Sequence, residues 1–124
     1  MSGTARDPHE LSPLPPAQLH ILLALADGEK HGYAVKGEVE RMTEGEVRMG
    51  PGTLYGAIKR MVKAGLVEET DERPDPELDD ERRRYYRATG FGVRVLSAEM
   101  ERLDQLLRTA KAKRVALRLQ PEGG

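Results

Sequence analysis

The apolar pattern of this chain changes its period at Gly65, and that change limits the possible folds more than any other feature. From Pro51 to Gly65 the pattern is helical. Leu54, Ile58, Met61 and Val62 fall on one stripe, and Tyr55, Lys59 and Lys63 fall on the neighbouring flank, with Arg60 further round. Pro51 suits a first helical turn, which has no use for its missing N–H, and Gly65 suits the left-handed stop. After Gly65 the period shortens to about two. Leu66 to Thr70 reads as a strand, residues 71–81 as a polar, acidic turn with two prolines, and Arg82 to Thr89 as a second strand. A helix that runs straight into a hairpin needs further helices to cover its apolar stripe.

Those helices are written on either side. Residues 1–13 are polar, carry two prolines and read as a disordered arm. A first helix starts near Pro15 or Pro16, with Leu19, Leu22, Leu23 and Ala26 at helical spacing, and closes at Asp27-Gly28. It is apolar enough to lie against two neighbours. A second helix runs from about Lys30–Gly32 to Thr43 on Ala34, Val35, Val39 and Met42. Gly37 in its middle costs about 1 kcal/mol against alanine. Glu46 to Met49 is short and reads as a small strand. The final segment, from about Phe91 to Leu119, reads as one long helix. Leu96, Met100, Leu103, Leu107, Ala110 and Leu117 make a heptad seam, with Arg114 at one seam position. Such a seam is longer than the domain can cover, so its remainder calls for a partner, and an identical chain is the simplest one. The expected dimer surface is Leu19, Leu22, Leu96, Met100, Leu103, Leu107 and Leu117. Packing of this helix on its own domain is the plainer alternative.

The order helix, helix, short strand, helix, hairpin is that of a winged helix-turn-helix. The expected fold is mainly α with a small β-hairpin wing. It divides into a disordered arm over 1–13, a winged domain over 14–89, a dimerisation helix over 90–119 and a disordered tail over 120–124.

Composition narrows what such a fold can do. The chain has no cysteine, which excludes disulfides and thiolate metal sites. Its net charge is −1, so binding to a polyanion has to come from local clustering of charge. The Pro51 helix supplies that cluster: it carries three cations and no acid, in a chain that is slightly acidic overall. A helix with an apolar inner face and a basic outer face is what the major groove of DNA admits. Gly50-Pro51-Gly52 leaves its N-terminal N–H groups open to a phosphate. Arg82, Arg83, Arg84 and Arg87 form a second basic cluster. On a strand only one alternating set can face a groove. The plainer readings are solvated lysines on a surface helix, and wing arginines that balance Asp79, Asp80 and Glu81.

Three motifs then resemble the PadR family of transcriptional regulators. They are His31-Gly32-Tyr33-Ala34-Val35; Gly52-Thr53-Leu54-Tyr55 with Ile58-Lys59-Arg60-Met61 and Gly65-Leu66-Val67; and Arg83-Arg84-Tyr85-Tyr86-Arg87 with Thr89 and Gly92. The resemblance covers about Leu19 to Leu107 and points to the shorter branch of that family. It implies a homodimeric DNA-binding repressor clasped by its terminal helices. It also implies that Thr53, Tyr55 and Lys59 lie at the DNA and that Tyr33 helps to anchor a phosphate. The chain departs from the family pattern at Gly56, at Ala88 and in its acidic wing turn.

The expected partners are therefore a double-stranded DNA operator, a second copy of the chain and an apolar small-molecule effector between the first and last helices. No cofactor, metal or membrane is expected, and the expected location is the cytoplasm. Two rival functions remain at this point. An enzyme is disfavoured because His9, His20 and His31 are scattered and the glycines near 50–56 lack a Gly-Lys-Ser/Thr. A winged helix that binds only protein fits the near-neutral charge but not the basic third helix.

Overall fold

The computed structural model describes residues 6–70 and 84–115. The elements run α1 (Pro16–Ala24), β1 (Lys30–His31), α2 (Gly32–Met42), α3 (Pro51–Lys63), β2 (Val67–Thr70), β3 (Tyr85–Ala88) and α4 (Gly90–Ala112), preceded by a 3-10 turn at Pro8–Leu11. This is the expected mainly helical, winged architecture. Its helices pack around α1, which touches α2, α3 and α4. Ile21 and Leu22 of α1 are wholly buried, as are Val35 and Val39 of α2, Leu54 and Met61 of α3, and Val95 of α4.

Each helix ends where local chemistry tells it to. His31 caps α2 by accepting from the Ala34 N–H at 3.2 Å. Thr89 caps α4 twice over: its hydroxyl accepts from the Gly92 N–H at 2.9 Å and donates to the Gly65 carbonyl at 2.5 Å. The end of α3 is thereby tied to the start of α4. Gly65 takes φ +81° there, as its place after α3 predicts. Gly92 packs so closely on the Leu66 backbone that a Cβ would meet the Leu66 carbonyl oxygen.

The sheet differs from the expected hairpin by one strand. β3 lies in the middle, paired antiparallel with β2 (Val67 opposite Ala88) and with β1 (Lys30 opposite Tyr86). The third strand is Lys30–His31 and not Glu46 to Met49. The latter segment is a loop held by Thr43, whose hydroxyl donates to the Val39 carbonyl and accepts from the Val47 N–H. Buried Met49 anchors the loop to the core.

Further expectations are corrected by packing. Leu22 and Leu96, placed at the dimer surface by the sequence, belong to the protomer's own core, at 0% and 8% exposure. Leu19 is half-buried against that same core. Val62, placed on the buried stripe of α3, is 40% exposed, and Ala57 fills the inner position instead. The cost of Gly37 is offset by no close helix contact, since a Cβ there would meet only the end of the Arg41 side chain. Helix α4 stops at Ala112, short of Leu119, and Arg114 takes a left-handed φ of 63°. Leu117 lies outside the described residues.

The arm is folded from Arg6 onward, contrary to the expectation of disorder over 1–13. Its 3-10 turn is capped by Asp7, which accepts from the His9 N–H at 3.0 Å, and it lies along α4. Wholly buried Glu99 of α4 receives this segment. Its carboxylate accepts from the Ser12 hydroxyl, from the Leu14 N–H at 2.8 Å and from the Arg102 guanidinium at 2.8 Å. Arg102 above all, helped by Ser12 and Leu14, holds the Glu99 carboxyl at about 2, well below its usual 4.5 and against the upward push of burial. A carboxyl lowered on folding stabilises the fold above its unfolded pKa, and that stability drains away as the pH falls toward 2. The contribution is about 2 kcal/mol after screening of the half-exposed Arg102 is allowed for. Thermal melts between pH 7 and pH 2 should show this loss, and Glu99→Gln should flatten it while lowering stability at pH 7.

Candidate nucleic-acid interface

Helix α3 presents its outer face to solvent because its inner face is fully used. Leu54, Ala57, Ile58 and Met61 point into the core, which leaves Thr53, Lys59, Arg60, Val62 and Lys63 outside. Among the described residues no ion pair joins Lys59, Arg60 or Lys63 to an acid, and the carboxylate that shares their groove, Glu69, is paired with Arg84. The N-terminus of α3 is equally open. Gly50 is its cap and makes no side-chain hydrogen bond, and nothing lies within 4 Å of where a Cβ would stand at Gly50 or Gly52. The N–H groups of the first turn, together with the helix dipole, therefore face solvent with nothing in the way of an anion. Thr53 is exposed beside them.

The wing strands behave differently. Arg84 lies 3.4 Å from Glu69, and Arg87 donates to Glu68 at 2.7 Å across the β2–β3 pair. Asp79, Asp80 and Glu81, the acids expected to balance the wing arginines, lie outside the described residues. Both pairs are exposed, so they add little stability but do offset the local positive charge. Arg82 and Arg83 lie outside the described residues.

The two tyrosines are separated by the structure. Tyr33 stands in the first turn of α2 and is 43% exposed. Tyr55 does not present its hydroxyl outward. That oxygen is buried against Gly32, where a Cβ would collide with it. Gly32 is thus the seat of the Tyr55 ring, and the pair locks the start of α2 onto α3. A DNA contact by Tyr55 would therefore have to come from its ring and not from its hydroxyl. The ring lines a groove of about 540 Å³ between α3 and the wing, with Ile58, Lys59, Val62, Lys63 and Arg84 among the other walls. Sequence spacing put Tyr55 and Lys59 on one flank of the helix correctly, but it could not show a cavity one glycine wide on the next helix.

Helix α4 carries an apolar strip that the described residues of the protomer leave partly uncovered. Met100, Leu103 and Leu106 are 38%, 37% and 54% exposed, and Leu107 is half-buried. No helix among the described residues is long and apolar enough to cross a membrane, and no group of His, Asp or Glu among them could hold a metal ion.

A helical core, a small antiparallel wing and a helix with a basic outer face beside it define the winged helix-turn-helix architecture. The chain belongs to the PadR-like family of transcriptional regulators, whose family model matches residues 21–98. Members of that family are transcriptional regulators and not enzymes. The chain is 36% identical over 91 residues to the transcriptional regulator Rv3488 of Mycobacterium tuberculosis, a match that covers 73% of this chain and 78% of that protein. It is 44% identical over 57 residues to a 37.1 kDa protein of transposon TN4556 from Streptomyces fradiae; this match spans 46% of the chain but only 16% of that longer protein. Among solved structures, a transcriptional regulator from Clostridium thermocellum superposes with a TM-score of 0.63 at 25% identity, over 81% of this chain and 90% of that one. Bacillus subtilis PadR, solved in complex with operator DNA, shares the fold at a TM-score of 0.58 and 17% identity, over 91% of this chain and 53% of that one.

Proposed function

We propose that this protein is a homodimeric repressor that binds an inverted-repeat operator in double-stranded DNA and acts in the cytoplasm. The observation that carries the reading is the outer face of α3, where Lys59, Arg60 and Lys63 stand without acidic partners among the described residues beside an open helix N-terminus. In this reading the N–H groups at Gly52 and Thr53 take a backbone phosphate, which fixes register, and Lys59 donates to a guanine edge in the major groove. Arg60 and Lys63 add phosphate contacts on either side. Tyr33, exposed on α2, anchors the flanking phosphate. The Bacillus subtilis structure with the same fold was solved on operator DNA, which supports the assignment of the partner.

The exposed strip of α4 supports the dimer. Met100, Leu103 and Leu107 keep the steps of three and four that a helix–helix seam requires, and the protomer does not cover them. A two-fold axis through that seam would place two copies of α3 on one face of the duplex, with half-sites roughly 34 Å apart. Selection of bound sequences from random DNA, followed by sedimentation of the complex, tests this reading. The expected product is an inverted repeat of that spacing, bound by two chains. Enrichment of no sequence, or of a single unrepeated site bound by one chain, would contradict it.

A further inference from the structure

The N-terminal segment joins the two parts of the molecule that the proposed function needs to hold at a fixed angle. At one end, the Arg6 guanidinium donates to the Ala64 carbonyl at 2.5 Å and lies 4.1 Å from the centre of the Phe91 ring. Ala64 is the C-cap of α3, and its carbonyl is one of the groups that a helix end leaves without an intrahelical donor. Phe91 stands in the first turn of α4. Arg6 thus bridges the C-cap of the basic helix and the first turn of the helix that carries the apolar strip. At the other end, Ser12 and the Leu14 N–H are held by wholly buried Glu99, two turns further along α4. Between these ends, Leu11 packs on the core. From Phe91 to Glu99 is eight residues of helix, or about 12 Å of α4 spanned by one docked segment.

We propose that residues 6–14 form a strap that fixes the angle between α3 and α4, with Arg6 as its positioning residue for operator half-site spacing. The inference rests on the DNA-binding reading above. α4 carries the seam between subunits, so any looseness between α3 and α4 spreads directly into the distance between the two copies of α3. The joint is otherwise held by Thr89 to Gly65, by Gly92 on Leu66, and by α1, which packs against both helices. The Thr89 and Gly92 contacts lie at the junction itself and so have little leverage over the far ends of two helices. The strap supplies that leverage because it grips α4 at two points separated by more than two turns. In this proposal Arg6 acts through that grip and not through a contact with the nucleic acid.

The test is a spacing series. The full-length chain and its Arg6→Ala and Ser12→Ala variants are titrated against the selected operator and against versions with one or two base pairs added or removed between half-sites. The wild-type chain should favour one spacing. Arg6→Ala, which removes a hydrogen bond and a cation–π contact, should lose about three- to tenfold of that preference, and Ser12→Ala, which removes one hydrogen bond, about threefold. They should stay dimeric by sedimentation and should bind a single half-site within about twofold of wild type. Ser12→Ala changes no charge, so it separates the strap from simple loss of a cation. An equal drop at every spacing with Arg6→Ala, a spacing profile unchanged in both variants, or dissociation of the dimer would each overturn the strap. A wild-type chain that binds no spacing of any operator would overturn the DNA-binding reading itself, and the strap with it. A wild-type preference that the variants retain in full overturns the strap alone.

Discussion

Leu103→Asp is expected to convert the protein to a monomer and to weaken operator binding by at least about a hundredfold. Leu103 is 37% exposed in the protomer and sits in the middle of the uncovered strip of α4, between Met100 and Leu106. A carboxylate there costs the protomer little, because water still reaches it. At a helix–helix seam the same carboxylate would meet its own copy across the two-fold axis, unpaired and stripped of water, which costs several kcal/mol. Loss of the dimer then removes the advantage of the second half-site, worth roughly 10²–10⁴ in affinity when two sites are held together. Sedimentation should show one species at protomer mass, and circular dichroism should show the helices largely retained. An intact dimer in this variant would refute the seam on α4.

Gly92→Ala is expected to be the most damaging single-methyl change in the chain. The new Cβ would drive into the Leu66 carbonyl oxygen, which is backbone and is already fixed by accepting from the Thr89 N–H at 3.0 Å. Relief requires α4 to move away from the exit of α3, which would break the Thr89 cap and its bond to Gly65. Overpacking against a rigid backbone costs about 3 kcal/mol or more, and for a chain of this size the melting temperature should fall by roughly 10–15 °C. Gly37→Ala is the matched control. There the methyl meets only the flexible end of Arg41, and alanine favours a helix interior by about 1 kcal/mol, so the melt should rise slightly. Equal effects at the two glycines would contradict this account of the α3–α4 joint.

The helices and the wing were legible in the sequence because each is specified by its own residues. The period of apolar positions in 51–65 and the Pro51 and Gly65 boundaries place α3 to within a residue or two, and Asp27-Gly28 lies within a short turn of the end of α1. What was missed depends on contacts between distant segments. Strand β1 is two residues long, too short to show alternation, and exists only because β3 offers it an edge. Nothing local marks Glu99 as buried: its pairing with Arg102 three residues on reads as an ordinary solvated helix pair, and its other donors, Ser12 and Leu14, lie more than eighty residues earlier. The arm over 6–13 reads as polar because its stabilising partners are on α4. Leu22 and Leu96 have the spacing of a seam, but spacing alone does not say which apolar residues the protomer covers first. The same limit hides the Tyr55 hydroxyl, whose inward turn needs the missing side chain of Gly32.

The salt dependence of operator binding, measured on the wild-type chain and on the Lys59→Ala, Lys63→Ala double variant, tests the central claim most directly. Each phosphate contact contributes about one unit to the slope of log affinity against log salt. With two lysines removed from each of two subunits, the slope should shrink by up to about four units if all contact phosphate, and by about two if Lys59 reads a base edge instead. Affinity at low salt should fall steeply in either case. An unchanged slope together with unchanged affinity would show that the outer face of α3 does not meet DNA.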